Sequence, residues 1–297
     1  MKNILIVGCG LIGSSVLRAV HHKKIFKNIF VYEKSKKNIS IIKKFNIRCK
    51  IFKNLKDITT NLDLIVLCTP MSQYSNVILQ INKLITEKTI ITDVGSTKEL
   101  SSKNVKRKLK KNTTWIPSHP ITGSEVSGPL HGNKNLFKNK WCVLIKEKNI
   151  NKFHLLKLKS FWKKLGSKIV FMDTKQHDLI FSITSHLPHL IAYNLVKTAT
   201  DFQKQKKYNL IKFSAGGLRD FSRIAASNEI MWRDIFFSNK KNMILAINLF
   251  VKNLNSFKKD ISLKKNKQII KKLIKTKKVR KKIIFLKQDT NKPDFGR

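Results

Sequence analysis

The chain has 297 residues, enough for one large domain or two ordinary ones, each with its own core. A formal net charge of +45 would ordinarily point to nucleic acid, yet the 62 Lys and Arg residues are spread along the whole chain with no RNA- or DNA-binding motif beside them. Four scattered cysteines (Cys9, Cys49, Cys68, Cys142) form no C-x-x-C pair and stand at no metal-ligand spacing, so a reduced compartment and no metal site are expected.

Lys2 followed by ILIVGC resembles a short signal peptide ending at Cys9. The glycines behind it have their own spacing, so the run is read instead as the first buried strand of a parallel sheet. No apolar run is expected to reach the roughly 20 residues that span a bilayer, and a cytoplasmic protein without a membrane partner is expected. Candidate strands follow at Asn3–Val7, Ile29–Tyr32, Asp63–Cys68, Thr89–Val94, Thr114–Pro117, Trp141–Ile145 and Lys168–Met172. Helical patterns lie between them, among them Leu11–His22, Tyr74–Leu84 and Lys98–Leu109. This alternation predicts an α/β, doubly wound parallel sheet over residues 1–172.

From residue 173 to 297 strand-like runs vanish. Apolar residues recur at three- and four-residue spacing through Leu179–Thr200, Ile224–Phe237 and Met243–Phe257, and a strongly basic helix is expected at Ser262–Ile284. An all-α second domain is predicted.

Gly8-Cys9-Gly10-Leu11-Ile12-Gly13 matches G-x-G-x-x-G between a predicted strand and a predicted helix. Glycines there permit a tight turn and bring a pyrophosphate onto the helix N-terminus, where unpaired amides and the dipole favour an anion. Glu33 ends the second strand twenty residues later, placed to accept from adenosine ribose hydroxyls and to repel a 2′-phosphate. NAD is therefore expected ahead of NADP, with Lys34 and Lys36 close enough to soften the preference. The turn Cys68-Thr69-Pro70 follows a strand at the place where cofactor lies in such sheets, which makes Thr69 a candidate contact.

Four more segments carry possible chemistry. In Asp93-Val94-Gly95-Ser96-Thr97-Lys98, Ser96 either caps the next helix or meets a ligand at a strand end. His119 precedes Pro120 in a predicted loop after a strand, and its imidazole suits a general base near neutral pH. His186 and His189 stand three apart in SHLPHLIAYNL, either as core histidines or in a pocket. Only eight arginines occur, and Arg219, Arg223 and Arg233 fall within fifteen residues of one another. They either pair within helices or bind a carboxylate through a planar two-pronged donor.

In order and spacing, GCGLIGSS, DVGSTK, HPITGSEVSGP, SHLPHLIAYNL and GGLRDFSRIAASNEIMWRDIF closely resemble the prephenate dehydrogenase family, which includes the cyclohexadienyl and arogenate dehydrogenases. QDTNKPDFGR at the end is similar to the tails of a bacterial subset. The resemblance implies NAD-dependent oxidative decarboxylation of prephenate to 4-hydroxyphenylpyruvate in tyrosine biosynthesis, with arogenate as a further substrate, in a homodimer. It implies that His119 polarises the ring hydroxyl during hydride transfer and that Ser96 contacts the same hydroxyl. Arg223 would bind a substrate carboxylate, and His189 would line the pocket. Ser124, Glu125 and Trp232 would shape its entrance. Glu33 stands where Asp is commoner in the family, and Ser124 where Thr is. With the glycine motif at residue 8 and the family tail at the end, no fused mutase or regulatory domain is expected. Two competing readings are another two-domain NAD(P)-dependent hydroxyacid dehydrogenase and a basic nucleic-acid-binding protein. The first calls for a catalytic lysine where His186 and His189 stand, and the second for a binding motif that is not seen.

Overall fold

The structure is a computed structural model and describes residues 1–286 and Gln288. All of the QDTNKPDFGR tail except Gln288 lies outside the described residues. Two compact units emerge, Met1–His186 with Ala226–Lys240, and Leu187–Ala225 with the described residues from Lys241 onward.

In the first unit, β1 (Asn3–Val7), α1 (Leu11–His22), β2 (Asn28–Tyr32), α2 (Lys36–Lys43) and β3 (Lys50–Phe52) form one half of a parallel sheet. The chain then crosses to the other side of β1 with β4 (Leu64–Leu67), α3 (Tyr74–Ile81), β5 (Ile90–Asp93), α4 (Glu99–Lys108) and β6 (Thr114–Trp115). The strand order β3-β2-β1-β4-β5-β6 reverses at β1/β4, the switch point where open α/β sheets bind ligands. Period-two geometry explains the apolar runs. Ile4 and Ile6 enter one core with Val16, Val66 and Trp162, whereas Leu5 and Val7 enter another with Ile65, Leu67 and Ile78. Both faces are covered, so β4 and all of β1 after Asn3 are apolar on both faces.

The last strands depart from the predicted single sheet. β7 (Ser118–Pro120), β8 (Trp141–Ile145), α5 (Lys152–Leu165) and β9 (Lys168–Met172) build a separate sheet ordered β7-β8-β9, antiparallel then parallel. His119 therefore lies in a strand and not in a loop, paired with Val143. Prolines at 117 and 120 bound this three-residue strand and left no alternation to read; β8 supplies the pairing. β3 is equally short and was also not predicted.

Next come α6 (Thr174–Phe181), a π-helical turn at Ser182–His186 and α7 (Leu187–Lys206). Pro188 has no N–H to donate and its ring would crowd the carbonyl four residues back, which is a sufficient reason for the wider turn ahead of it. The run Thr174–Lys206 is long and apolar enough, by length and composition alone, to cross a bilayer, which corrects the expectation that no run would be. It nevertheless carries His177, Asp178 and His186 as buried polar groups. α8 (Gly216–Ala225) and α9 (Glu229–Ser238) replace the single run predicted at Ile224–Phe237, because Asn228 accepts from Met231 N and starts a new helix. α10 (Lys240–Ser262) and α11 (Asn266–Phe285) complete the described chain.

Candidate functional site

The glycine turn has the geometry that its spacing suggests. Gly8 adopts φ +87°, and a Cβ on it would lie 2.8 Å from Thr69 Cγ2. On Gly13 a Cβ would lie 2.1 Å from the Gly8 carbonyl oxygen, so this glycine lets α1 pack onto the turn. At Gly10 a Cβ would meet nothing within 4 Å. Gly10 is the N-cap of α1, followed by Leu11 and Ile12, and no side chain caps this helix or places an acid in its first turn. Its free N–H groups and open approach suit a pyrophosphate. Beside them Thr69 Oγ1 is buried with no hydrogen-bond partner among the described residues, a polar atom awaiting a ligand. Glu33 accepts from Cys9 N and Ser35 N, both at 2.9 Å. Two of the roughly four acceptor sites of its carboxylate remain for ribose hydroxyls. These residues fit a dinucleotide.

At the carboxyl end of β5, Asp93 is fully buried and engaged on all sides. Lys98 Nζ lies 2.6 Å from Oδ2, Tyr74 OH donates to Oδ2 at 3.2 Å, and Gly95 N and Ser118 N donate at 3.0 and 3.1 Å. Ser118 Oγ also donates to the Asp93 carbonyl at 2.6 Å. β7 is thereby bolted to the end of β5, and His119 is held at the carboxyl ends of the parallel strands that carry the glycine turn. His119 is buried, 9% exposed as a residue, with Phe181 edge-on at 5.0 Å between ring centroids and His177 at 5.1 Å. Burial first, then the like charges of His177, Lys98 and His186, hold its pKa well below the ordinary histidine value. At neutral pH this ring is a neutral acceptor, not a cation.

The remaining candidates divide between the units. In the first, Ser96 is half-buried in the turn before α4, but it does not cap that helix: Asp178 accepts from Lys98 N and Glu99 N at 2.7 and 2.9 Å instead. Ser124 is exposed and Glu125 half-buried in the segment between Pro120 and Pro129. Trp232 is buried on α9, its ring 6.2 Å from that of His186. His186 Nδ1 lies 3.1 Å from Asn239 Nδ2. The second unit holds His189 on α7 and Arg219 and Arg223 on α8. Arg233 separates from that arginine cluster, for it sits in the first unit and pairs with Asp234 at 2.7 Å. Lys98, Asp93, His177, Asp178 and Asn239 were not singled out from the sequence. Their only local signals were a His-Asp pair and the Asp and Lys that bound DVGSTK, since His119 and His177 are 58 residues apart and Lys98 and Asp178 are 80 apart.

Residues 16–171 match the family model described as the prephenate dehydrogenase nucleotide-binding domain, and residues 173–276 that described as the prephenate dehydrogenase dimerization domain. The chain is 30% identical over 261 residues to the cyclohexadienyl dehydrogenase of Zymomonas mobilis, covering 88% of this chain and 89% of that one. It is 32% identical over 263 residues to the prephenate dehydrogenase of Lactococcus lactis, covering 86% and 70%. Among solved structures, prephenate dehydrogenase from A. aeolicus in complex with hydroxyphenyl propionate and NAD+ superposes with a TM-score of 0.88 at 30% identity, covering 95% of this chain and 98% of that one. A glycine turn shaped for a dinucleotide, a buried neutral histidine at the strand ends and both family domains in order give one conclusion: the chain belongs to the prephenate dehydrogenase family.

Proposed function

We propose that this chain is a cytoplasmic, homodimeric enzyme that oxidises and decarboxylates prephenate to 4-hydroxyphenylpyruvate, with arogenate as a second substrate. The observation that carries the reading is Ser118 bonded twice to Asp93, which sets His119 beside the carboxyl ends of the strands behind the glycine turn. NAD, when bound, supplies the hydride acceptor. Gly8, Gly10, Leu11, Ile12 and Gly13 seat its pyrophosphate, Glu33 its adenosine ribose, and Thr69 offers its unpaired hydroxyl. His119 Nε2 accepts the hydrogen of the C4 hydroxyl as hydride leaves C4, and Ser96 orients that hydroxyl. The C1–carboxylate bond then breaks, its electron pair completes the aromatic ring, and the proton returns to the phenolic oxygen. Because aromatisation drives the step, the protein has only to position and polarise.

Residues 1–172 serve the dinucleotide and residues 173–297 serve substrate and dimerisation in this scheme. Arg223 holds a carboxylate of the substrate, His189 lines the pocket, and Ser124, Glu125 and Trp232 shape its mouth. The many lysines are read as solvated surface, so no nucleic-acid or membrane partner is proposed. The deciding assay measures NAD+ and NADP+ reduction separately, each with prephenate and with arogenate. His119→Asn should lower kcat by about 10²–10⁴, the usual worth of a positioned acid–base group. Arg223→Ala should raise KM by about tenfold or more, as expected of a charged hydrogen bond worth roughly 1.5–3 kcal/mol. Wild-type turnover in the first variant, or an unchanged KM in the second, removes the corresponding role.

A further inference from the structure

We propose that His177 and Asp178 form a buried relay that fixes His119 as the Nδ1-protonated tautomer, leaving the Nε2 lone pair as the face offered to the substrate hydroxyl. The inference rests on the reading of His119 as the acceptor, and it assigns roles to two residues for which the chemistry above has no use.

The direction of the relay follows from donor and acceptor chemistry, starting at its far end. A carboxylate has acceptor sites and no donor. Asp178 Oδ1 takes the main-chain N–H of Lys98 at 2.7 Å, and Oδ2 takes that of Glu99 at 2.9 Å, so the group caps α4 from another element. His177 Nδ1 lies 2.8 Å from the same Oδ1 and must therefore be the donor. Burial keeps the His177 pKa below its ordinary value, partly offset by the hydrogen bond that Nδ1 donates to Asp178, so the ring is neutral and carries its lone pair on Nε2. That Nε2 lies 2.8 Å from His119 Nδ1. A lone pair there requires His119 Nδ1 to bear the hydrogen, and a neutral His119 is left with its lone pair on Nε2. The reverse order would set the His177 lone pair against a carboxylate oxygen, two acceptors at 2.8 Å with no hydrogen between them.

Three further contacts hold the relay still. Phe181, one turn along α6 from His177, covers both imidazoles, with centroids 4.6 Å from His177 and 5.0 Å from His119. Asn239 Nδ2 donates to the Asp178 carbonyl at 2.8 Å. Asp178 also ties the relay to the backbone just after Ser96, so the two groups proposed to touch the C4 hydroxyl share one buried anchor. His177 and Asp178 are positioning residues: neither needs to reach substrate, and both act through which nitrogen of His119 is free.

The experiment combines histidine ¹⁵N chemical shifts with steady-state kinetics on the full chain. In the resting protein at neutral pH, the His119 signals, assigned by their loss in His119→Asn, should show a protonated Nδ1 and a bare Nε2. His177→Leu removes the acceptor and should move those shifts toward the Nε2-protonated or mixed form. It should lower kcat by about tenfold or more, as expected when a base spends most of its time in the wrong tautomer, with KM for NAD+ nearly unchanged. His177→Gln places an amide oxygen near the lost Nε2 and should recover both the shifts and much of kcat. A bare Nδ1 on His119 in the wild-type protein overturns the proposal, as do wild-type kcat in His177→Leu or equal losses in the Leu and Gln variants. Turnover surviving His119→Asn would instead sink the acceptor assignment, whatever the shifts report.

Discussion

Two lysine–aspartate pairs in this molecule have nearly the same geometry and opposite meanings. Lys98 Nζ and Asp93 Oδ2 are 2.6 Å apart, with both side chains fully buried at the end of β5. Lys197 Nζ and Asp201 Oδ2 are 2.5 Å apart on α7, with side chains 70% and 57% exposed. Desolvation makes each buried partner indispensable to the other, whereas water and salt leave the exposed pair with little to add. The apolar residues show the same divide. The central strands of the parallel sheet bury Ile4–Val7, Leu64–Leu67, Ile90 and Ile91 completely within their own unit. The helical unit leaves Leu245, Leu249 and Leu254 of α10, and Leu273 and Ile274 of α11, more than half exposed. The sheet is covered on both faces by its own unit. The last two helices carry apolar side chains still to be covered, which is the physical basis for proposing a second copy as their partner.

The strongest way to break this contrast is to take one member from the buried pair. Lys98→Met leaves Asp93 as a buried charge facing Tyr74, Gly95 and Ser118 alone, and should lower stability by about 3–5 kcal/mol. Urea unfolding checks it, and a midpoint near that of the wild type would show that water reaches Asp93. Next in size is Leu249→Glu, which puts a charge on the open face of α10. If that face is covered by a second copy, sedimentation should show the species shifting from dimer to monomer while the far-ultraviolet spectrum stays unchanged. A wild-type monomer overturns the proposed dimer, and a dimer that ignores the substitution moves the interface elsewhere.

Titration probes the buried side more gently. His119 and His177 both have pKa values lowered mainly by burial. The groups that face His119 are His177, Lys98 and His186, all of which disfavour its cationic form. In the unfolded chain these histidines take up protons near pH 6.5, whereas in the folded protein they do so only at lower pH. Below about pH 6.5 the unfolded state therefore binds more protons, and stability falls as the pH falls; above it the two states bind alike and nothing is lost. Urea midpoints at pH 7.5 and 5.5 should show that loss, and the acid limb of kcat/KM should lie below 6.5. A limb above that value would mean that water or a counter-charge reaches His119.

Local signals in the sequence carried the first unit a long way. β1, α1, β8 and β9 have the ends predicted for them, because each is an apolar run or an amphipathic turn bounded by its own punctuation. The glycine spacing also carried its geometry, since φ and close approach are properties of single residues. What stayed illegible depends on pairing across the chain. β7 is three residues that follow Pro117 and end on Pro120, and only β8 makes it a strand. Ser96 offers either a cap for α4 or a ligand contact, and the cap comes instead from Asp178, 80 residues beyond Lys98, through a hydrogen bond that no spacing rule encodes. The relay behind His119 was hidden for the same reason, since neither His177 nor Asp178 belongs to a motif that advertises chemistry.

The smallest effect is the one that tests the comparison from the exposed side. Lys197→Ala removes an i,i+4 partner of Asp201 that stands in water on α7. Such pairs contribute about 0.3–0.5 kcal/mol, and alanine returns part of that through its helix propensity. The urea midpoint should barely move at low salt and not at all near 1 M salt, where charges are screened within about 3 Å. Lys98→Met should keep its full effect at that ionic strength, because salt does not enter a site with no exposed atom. A salt-insensitive loss of more than about 1 kcal/mol at Lys197 would mean that this lysine is covered in the assembled protein, and would place α7 within the surface that a second copy buries.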